Sequence, residues 1–537
     1  MSFTSFNFFV FLFAVIVVYY LVPKKLQWLV LLIASYGFYL STGADNVAYI
    51  LFTTLFTYGA GLWMQLLRDR NRKAINALGE DATKEQKREL KKVASKKIHT
   101  IQVVTALINL AVLIVIKCSD NFTSGLNDLF GMFHWDASVP VVNIIAPLGL
   151  SYYTFNSIGY LIDVGRGKHD AEKHIGKFAL FVSFFPSIVQ GPLFRYNDVG
   201  KQLGEPHKLE YDNLKNGALL ILWGCFKKLV IADRAAIIAK AIFNAEFVAG
   251  SFTGTEVFFG VLAYSFQIYG DFSGGTDITR GAAQMMGIIL PENFNQPFFA
   301  TSMGDFWHRW HMSLGAWMRE FVFYPVMLSK PVTAVSKKAR QRFGAYAGKL
   351  IPSVAAPMVV FFLIGIWHDV TSQYVVNGLY NAILISASVA LIPVYKWLIE
   401  KLRVNTEAFS YRLFQILRTF TLLCISRVIV KAPSLHDAFR MIKRMFTNVD
   451  PDFFLNNNGQ LFNYGVDEKQ MGVLVFSILI LLVVGILREG GMKIRETLAK
   501  QNLIFRWALY LMLLAFVLIF GIYGPGYDAS AFIYGQF

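Results

Sequence analysis

The chain alternates between long apolar stretches and shorter polar or charged segments. Apolar runs occupy 6–22, 26–40, 47–67, 101–116, 141–162, 217–232, 256–269, 350–367, 374–398, 411–425, 471–487 and 507–523. Because a helix needs roughly 20 apolar residues to cross a bilayer, the pattern predicts an all-α integral membrane protein with about 10–12 transmembrane helices. The first run lacks a preceding basic segment and a following cleavage site, so we expect a retained span rather than a signal peptide. No internal repeat is evident.

Three stretches depart from simple spans. Pro147 and Gly149 fall inside the run 141–162 and predict a broken or kinked helix, which a membrane tolerates where protein or water satisfies the backbone. The segment 178–189 is too short to span and contains Pro186, so we expect it to be re-entrant. The segment 317–328 is short and aromatic, which is typical of an interfacial helix.

The segment 68–100 differs in kind, since it carries eleven Lys/Arg and five Asp/Glu and has no apolar stretch. Basic loops stay on the cytoplasmic side, so we predict a cytoplasmic segment here. Its charges predict either an exposed helix or a mobile loop rather than a site.

The composition excludes a soluble protein of this size. Of the 537 residues, 55% are hydrophobic and 16% are charged, whereas soluble domains carry about 25% charged residues. The net charge of +16 would suggest nucleic acid in a soluble protein. In a membrane protein it predicts basic loops facing the anionic lipids of the bilayer, with no nucleic-acid partner. Cys118, Cys225 and Cys424 lack metal-site spacing, so we expect inert thiols and no bound metal.

The strongest candidate for chemistry is His368, which stands with Asp369 at the end of the apolar run 350–367. An ionisable side chain at membrane depth is costly and marks a functional site by default. Histidine exchanges protons near neutral pH, so a proton path or a catalytic centre is predicted. A structural histidine bonded to a carbonyl is the alternative. Neighbouring helix residues point apart, so Asp369 need not touch His368.

A second candidate lies in 305–321. If this segment is one helix, an aromatic face forms at helical spacing, as in an amphipathic helix at a membrane interface. His308 and His311 share the adjacent face. For His308 we favour the simple interpretation, a side chain that faces lipid headgroups. For His311 this interpretation and a functional role both stay open.

Three further polar groups have simple structural interpretations. The segment 293–297 is typical of a turn and cap. Asp271 stands among glycines and fits a capped turn. Lys227 and Lys228, inside an apolar run, are expected to extend to an interface, where they could meet a phosphate-bearing donor.

These segments together resemble the membrane-bound O-acyltransferase family, and most closely its bacterial branch typified by alginate O-acetyltransferase. The matching segments, in order, are 147–155, 190–193, 264–269, 271–274, 291–295, 306–314, 367–368 and 532–537. The resemblance covers nearly the whole chain, and the ordered combination is specific although each piece alone is weak.

The resemblance implies that His368 is the catalytic histidine and that His311 is a second functional histidine. It gives no role to His308. Asp369 replaces the glycine that usually follows the catalytic histidine, and this replacement affects the backbone turn expected there. The segment 274–277 also departs from the family pattern. Further residues expected to contact donor or substrate are Trp310, Ser313, Asn295, Asp271, Arg309 and Trp367.

The fold implied is a bundle of transmembrane, re-entrant and interfacial helices around a central tunnel. The whole chain, 1–537, would form one membrane domain with a catalytic core over 141–398. The activity implied is O-acetyl transfer in the bacterial cytoplasmic membrane, from a cytoplasmic thioester, with acetyl-CoA or an acyl carrier as donor and no bound cofactor. A polysaccharide would be the acceptor, with a separate extracytoplasmic acetyltransferase or esterase-like protein finishing delivery.

In the mechanism we expect, His368 acts as general base on an acceptor hydroxyl. His311 would orient the donor or acceptor, or stabilise the developing oxyanion. Two alternatives are D-alanyl transfer to teichoic acid from a carrier protein, and a polysaccharide transporter without covalent chemistry. Broken helices would suit a transporter, but the inverted repeats that would support one are not evident.

Overall fold

The protein is described by a computed structural model that covers residues 2–41, 43, 46–78, 83–132, 147–455 and 460–524. Within these ranges the regular structure is helical, and the one strand-like feature is an isolated bridge between Phe294 and Trp310. The all-α prediction is confirmed for this part of the chain. The predicted motif 532–537 and the first residues of the predicted span 141–162 lie outside the described residues.

The chain divides into two compact units. The first unit contains Met1–Ala218 and Thr279–Pro291, and the second contains Leu219–Ile278 and Glu292–Phe537. The single membrane domain expected over 1–537 stays a prediction.

The first unit is built from helices whose lengths vary widely. They are α1 (Phe6–Leu21), α2 (Gln27–Leu40), α3 (Asn46–Ala77), α4 (Lys84–Met132), α5 (Leu150–Arg166), α6 (Ile175–Ser183), α7 (Lys201–Gly204) and the start of α8 (Tyr211–Cys225), with a 3-10 turn at Lys24–Leu26 and a π-helical turn at Tyr196–Gly200. The basic segment 68–100 forms the end of α3 and the start of α4, so the exposed-helix alternative is confirmed for its described residues. Between the apolar parts of these two helices, Asn109 donates a buried hydrogen bond of 3.2 Å to Thr57, a polar contact of the kind that links helices in a membrane.

Helix α5 begins directly after Pro147 and Gly149, and because the part of the predicted span before Pro147 lies outside the described residues, the broken helix stays a prediction. Gly149 has φ 70 and precedes the first residue of α5, Leu150. A Cβ atom at Gly149 would lie 2.1 Å from the carbonyl oxygen of Ile188, so only glycine fits both the left-handed backbone and the close approach. The segment 178–189 contains the end of α6, which at nine residues is too short to cross a bilayer.

The second unit contains the remaining helices. They are α9 (Asp233–Ile242), α10 (Ala245–Ala249), α11 (Gly254–Met285, whose end lies in the first unit), α12 (Met303–Arg309), α13 (Met312–Met318), α14 (Tyr324–Met327), α15 (Lys330–His368), α16 (Ser372–Ala390), α17 (Ile392–Lys401), α18 (Phe409–Lys431), α19 (Leu435–Thr447), α20 (Asp452–Leu455), α21 (Glu468–Glu489), α22 (Ile494–Ala499) and α23 (Leu503–Phe520). Shorter turns are π-helical at Phe226–Ala232 and Arg319–Phe323, and 3-10 at Pro297–Phe299 and Gln460–Phe462.

Six helices of the described chain are long and apolar enough to cross a membrane, by length and composition. They are Asn46–Ala77, Lys84–Lys117, Lys330–His368, Phe409–Lys431, Glu468–Glu489 and Leu503–Phe520, and α16 with α17 would make a seventh as one span bent by 56°. This is fewer than the predicted ten to twelve. The difference arises because several predicted spans fold as shorter or interrupted helices: α1 and α2 have 16 and 14 residues, and the run 217–232 passes from α8 into a π-helical turn.

Lys227 and Lys228 lie in that π-helical turn, and the expectation that they extend to an interface is wrong. Both are buried. The Nζ atom of Lys228 lies 2.5 Å from Asp271 and 2.9 Å from Asp233, and that of Lys227 lies 2.8 Å from Asp277. A buried ammonium needs a carboxylate partner, and the chain supplies one through aspartates on α9 and α11 rather than through water or lipid.

Two glycines bring α15 and α16 together at the depth of the candidate site. A Cβ atom at Gly365 would lie 2.6 Å from the carbonyl oxygen of Tyr374, and one at Gly378 would lie 2.4 Å from that of Phe361. Small residues allow helix backbones to approach closely in a membrane. This contact fixes the end of α15, and therefore His368, against the start of α16.

Candidate functional site

The helix expected over 305–321 is interrupted at His311, so the single amphipathic helix is wrong. Helix α12 ends at Arg309, and His311 has φ 47 and ψ 51, a left-handed conformation, immediately before α13. The flanking backbone pairs with the segment before it: Asn295 N–H donates to Arg309 O at 2.9 Å, and Met312 N–H donates to Asn293 O at 3.0 Å. A left-handed non-glycine residue costs roughly 1–2 kcal/mol and persists where its surroundings enforce it.

Asn293 holds the imidazole of His311. Its side-chain oxygen Oδ1 accepts hydrogen bonds from the backbone N–H of Ser313 at 3.0 Å and from the Ser313 hydroxyl at 2.8 Å. The same oxygen lies 3.2 Å from Nδ1 of His311. Because a backbone N–H can only donate, it identifies this atom as the amide oxygen, and Nδ1 of His311 must then carry a hydrogen. In the neutral ring Nε2 is consequently a hydrogen-bond acceptor.

The surroundings of His311 keep its ring neutral. The residue is 3% exposed, and the ring of Phe272 packs edge-on at 4.7 Å between centroids. Burial, and to a lesser extent the nearby His368, lower the pKa of His311 from 6.5 to about 3. A neutral imidazole with a fixed tautomer can accept a hydrogen bond at Nε2 near neutral pH.

His368 is the last residue of α15 and is half-buried. Its ring lies 4.5 Å from that of Trp367 and stacks on Tyr374 at 5.9 Å with an interplanar angle of 25°. Asp369 ends the helix with φ −164. This is extended backbone that any residue adopts, so an aspartate here causes no strain in the turn that follows the histidine.

His311 and His368 line the same cavity, whose volume is about 100 Å³. Its walls come from α11, the α12–α13 segment, α15, α16 and α18, all in the second unit. The lining residues are Tyr264, Ile268, Phe306, Trp307, Trp310, His311, Leu314, Phe361, Ile364, Gly365, His368, Tyr374, Asn377, Gly378, Asn381, Leu423, Ser426, Arg427 and Val430. An apolar cavity with a few convergent polar groups is the usual form of a site for a small group.

A hydrogen-bonded wall joins three helices at this cavity. The Ser426 hydroxyl donates to Asn377 Oδ1 at 2.6 Å, and Asn381 Nδ2 donates to the Asn377 carbonyl at 2.9 Å. The indole of Trp307 donates to Asn381 Oδ1 at 3.1 Å. Such satisfied polar networks rigidify the elements they connect, here α12, α16 and α18.

The remaining predicted residues fall into two groups. Trp310 lines the cavity, Ser313 bonds to Asn293, and Trp367 packs on His368. These three lie in the site or directly behind its histidines.

Arg309, Asn295 and Asp271 lie elsewhere. Arg309 forms a two-bond contact with Glu489, at 2.7 and 3.2 Å, and a further bond with Asp305. Asn295 is exposed, and Asp271 pairs with Lys228. None of the three lines the described cavity.

His308 is exposed and outside the cavity lining, and its Nδ1 lies 2.7 Å from the carbonyl oxygen of Gly304.

Sequence reasoning missed Asn293 and Arg427. Asn293 lay in a predicted turn and in the matching segment 291–295 but received no role. Its contact with His311 depends on backbone pairing between 293–295 and 309–312, which a single helix over 305–321 does not predict. Arg427 did give a signal: it interrupts the apolar sequence of α18 two residues after the predicted run ended, and a charge at that depth marks a site.

Comparisons with known proteins match this chain to a family and to several individual proteins. Residues 168–405 match the profile described as MBOAT, membrane-bound O-acyltransferase family. The chain is 30% identical over 489 residues to the probable alginate O-acetylase AlgI of Pseudomonas putida, covering 90% of this chain and 87% of that protein. It is 27% identical over 366 residues to the peptidoglycan O-acetyltransferase of Helicobacter pylori, covering 63% of each. It is 32% identical over 254 residues to the teichoic acid D-alanyltransferase of Bacillus subtilis, covering 46% of this chain and 60% of that protein.

Proposed function

Because the chain belongs to the membrane-bound O-acyltransferase family, we propose that this multi-pass membrane enzyme is an O-acetyltransferase of the bacterial cytoplasmic membrane. It takes acetyl from a cytoplasmic thioester, acetyl-CoA, and passes it across the membrane for O-acetylation of an extracellular or cell-wall polysaccharide. The observation that carries the proposal is that His311 and His368 line the same cavity.

The choice of acetyl rests on the relatives. Those named for O-acetylation of alginate align with up to 90% of this chain. The D-alanyltransferase of Bacillus subtilis aligns with 46%, and this match supports D-alanyl transfer from a carrier protein as the second candidate. The two differ in the donor thioester, so supplying labelled acetyl-CoA or a D-alanyl carrier protein to the same membranes separates them.

In the proposed reaction His368 is the general base. The acceptor hydroxyl gives its proton to the imidazole of His368 while its oxygen bonds to the thioester carbonyl carbon. The carbon–sulfur bond then breaks, the proton passes from His368 to the departing sulfur, and the products are an O-acetyl ester and a free thiol. The mostly apolar lining of the cavity suits this step because water there would hydrolyse the thioester instead.

The tautomer of His311 determines which of its two expected roles the side chain can have. Since Nδ1–H donates to Asn293, Nε2 can accept a hydrogen bond but cannot donate one to an oxyanion. We therefore assign His311 to orienting the donor or acceptor through Nε2, the first of its two expected roles. Asn293 is the positioning residue that maintains this orientation.

The acceptor hydroxyl belongs either to the polysaccharide or to a separate extracytoplasmic acetyltransferase or esterase-like protein that completes delivery. Such a partner is part of the proposal, since it follows from the family resemblance of the sequence motifs. In this scheme the membrane enzyme supplies acetyl groups, and the partner determines which hydroxyl is modified.

The test uses membranes that contain the protein, supplied with labelled acetyl-CoA. His368→Ala should lower transfer at least about 100-fold, the usual contribution of a general base, while protein level and membrane insertion stay unchanged. His308→Ala is the matched control, because His308 is exposed and lies outside the cavity lining, and it should keep wild-type transfer. Wild-type transfer by His368→Ala would contradict the proposal.

A further inference from the structure

Arg427 places a permanent positive charge at the wall of the reaction cavity. It lies within α18, one of the helices long and apolar enough to cross a membrane, and is 7% exposed. It lines the same cavity as His311 and His368, and it is the only Lys or Arg among the described lining residues. Arginine stays protonated in proteins, so this charge cannot be removed by losing a proton.

The described surroundings of Arg427 contain no carboxylate partner for it. Its Nη1 donates to the hydroxyl of Ser265 at 2.6 Å, and that hydroxyl in turn donates to the carbonyl of Val261. Its guanidinium lies 5.3 Å from the ring of Phe298 and 5.8 Å from that of Phe420. A hydroxyl and two aromatic faces hold the group in place but leave its charge uncompensated within the described chain.

Two buried lysines of the same unit, in contrast, have carboxylate partners. Lys228 lies against two aspartates and Lys227 against one. Burying a charge without a partner is expensive, so such a charge does not by itself stabilise the fold. A stability role therefore does not explain an arginine at this position, whereas an anion that enters the cavity during the reaction does.

We propose that Arg427 forms an anion subsite of the acyl-transfer cavity and binds an anionic oxygen of the reacting groups. This inference rests on the proposed function. The chemistry supplies such an oxygen when the acceptor hydroxyl adds to the thioester carbonyl: the carbon–oxygen double bond opens and its electron pair resides on the carbonyl oxygen. The charge returns to the carbonyl bond when the carbon–sulfur bond breaks. A carboxylate on the acceptor presents the same kind of oxygen in the ground state.

The arrangement of His311 favours the first source. Its Nδ1–H is committed to Asn293, so its Nε2 offers no donor to the developing negative charge. Preorganised donors aimed at that charge are usually the largest contribution to acyl transfer, and losing one costs about 100- to 1,000-fold in turnover. Arg427 supplies a hydrogen-bond donor and a permanent positive charge, which neutral His311 does not.

The experiment compares Arg427→Met and Arg427→Lys with wild type in kcat, KM and thermal midpoint. Arg427→Met should lower kcat about 100- to 1,000-fold with the KM values for donor and acceptor little changed, and its thermal midpoint should equal or exceed that of wild type. Arg427→Lys keeps the charge but not the planar set of guanidinium donors, so its kcat should lie between those of wild type and Arg427→Met. Added guanidinium should partly restore Arg427→Ala.

Arg418→Met is the matched control, since Arg418 lies on the same helix, bonds to the carbonyl of Thr301 and lies outside the cavity lining. It should transfer acetyl at the wild-type rate.

A raised KM for an acidic acceptor with kcat unchanged in Arg427→Met would support the same anion subsite and assign it to the acceptor carboxylate.

Two results would overturn the inference: wild-type kinetics in Arg427→Met, or a loss of activity that only tracks a loss of folded protein. If wild type transfers acetyl and His368→Ala does not, an unaffected Arg427→Met removes this inference alone. If wild type transfers no acetyl, the proposed function itself fails.

Discussion

Asn293 controls His311 through one amide oxygen, which also accepts both hydrogen bonds from Ser313. Removing that oxygen in Asn293→Ala frees the imidazole to rotate or change tautomer. Loss of a partner that orients a functional histidine typically costs about 10- to 100-fold in activity, and we expect a fall of that size in initial transfer rate.

Asn293→Asp is the informative companion, because a carboxylate keeps an acceptor in the same place and preserves the Nδ1–H tautomer. It should retain more activity than Asn293→Ala when both are normalised to folded protein. Equal losses in the two variants would show that the oxygen does not act through the tautomer of His311.

The lowered pKa of His311 predicts how stability changes with pH. The folded pKa of about 3 lies below the ordinary 6.5, so the unfolded chain binds this proton more readily. The stability contributed by the neutral ring is complete above pH 6.5 and is lost as pH falls toward the folded value. His311→Gln cannot be protonated, so the stability of wild type relative to this variant should decrease on acidification.

Thermal midpoints of both proteins in detergent, from neutral pH to about pH 5, measure this difference. A difference that stays constant over that range would mean that His311 is accessible to protons in the folded protein, and its neutral role would then be untenable.

At the scale of helices, the contact between α15 and α16 sets the position of His368. Gly378→Ala adds a Cβ atom 2.4 Å from the carbonyl oxygen of Phe361, which forces the two helices apart. Overpacking of this kind typically costs about 1–3 kcal/mol, and we expect a lower thermal midpoint together with reduced transfer. Gly472→Ala on α21 is the control, since a Cβ atom there meets no other atom within 4 Å. A thermal midpoint that stays unchanged in Gly378→Ala would argue against this close packing.

Some elements were predictable from the sequence and others were not, for identifiable reasons. The apolar run before His368 correctly placed this residue at a helix end, and Pro147 with Gly149 immediately precedes the start of α5. The interruption at His311 was not predictable from local pattern, because the periodicity of 305–321 continues through it. The backbone pairing with 293–295, which is a non-local contact, overrides the helical preference.

At the scale of the whole molecule, the predicted all-α membrane protein and its family are confirmed, and both depended on patterns distributed along the chain. Composition and spacing did not predict which polar side chains contact one another. Lys227 and Lys228 were expected at an interface and instead pair with buried aspartates. Arg427 joined the site only once α18 was positioned against the other walls of the cavity.

The central claim is that His311 and His368 serve one reaction in one cavity. Residues that act as a unit show losses that do not multiply when both are removed. We predict that His311→Ala and His368→Ala each lower acetyl transfer strongly, and that the double variant transfers no more slowly than His368→Ala alone. Losses that multiply, or a double variant that retains wild-type transfer, would contradict the account.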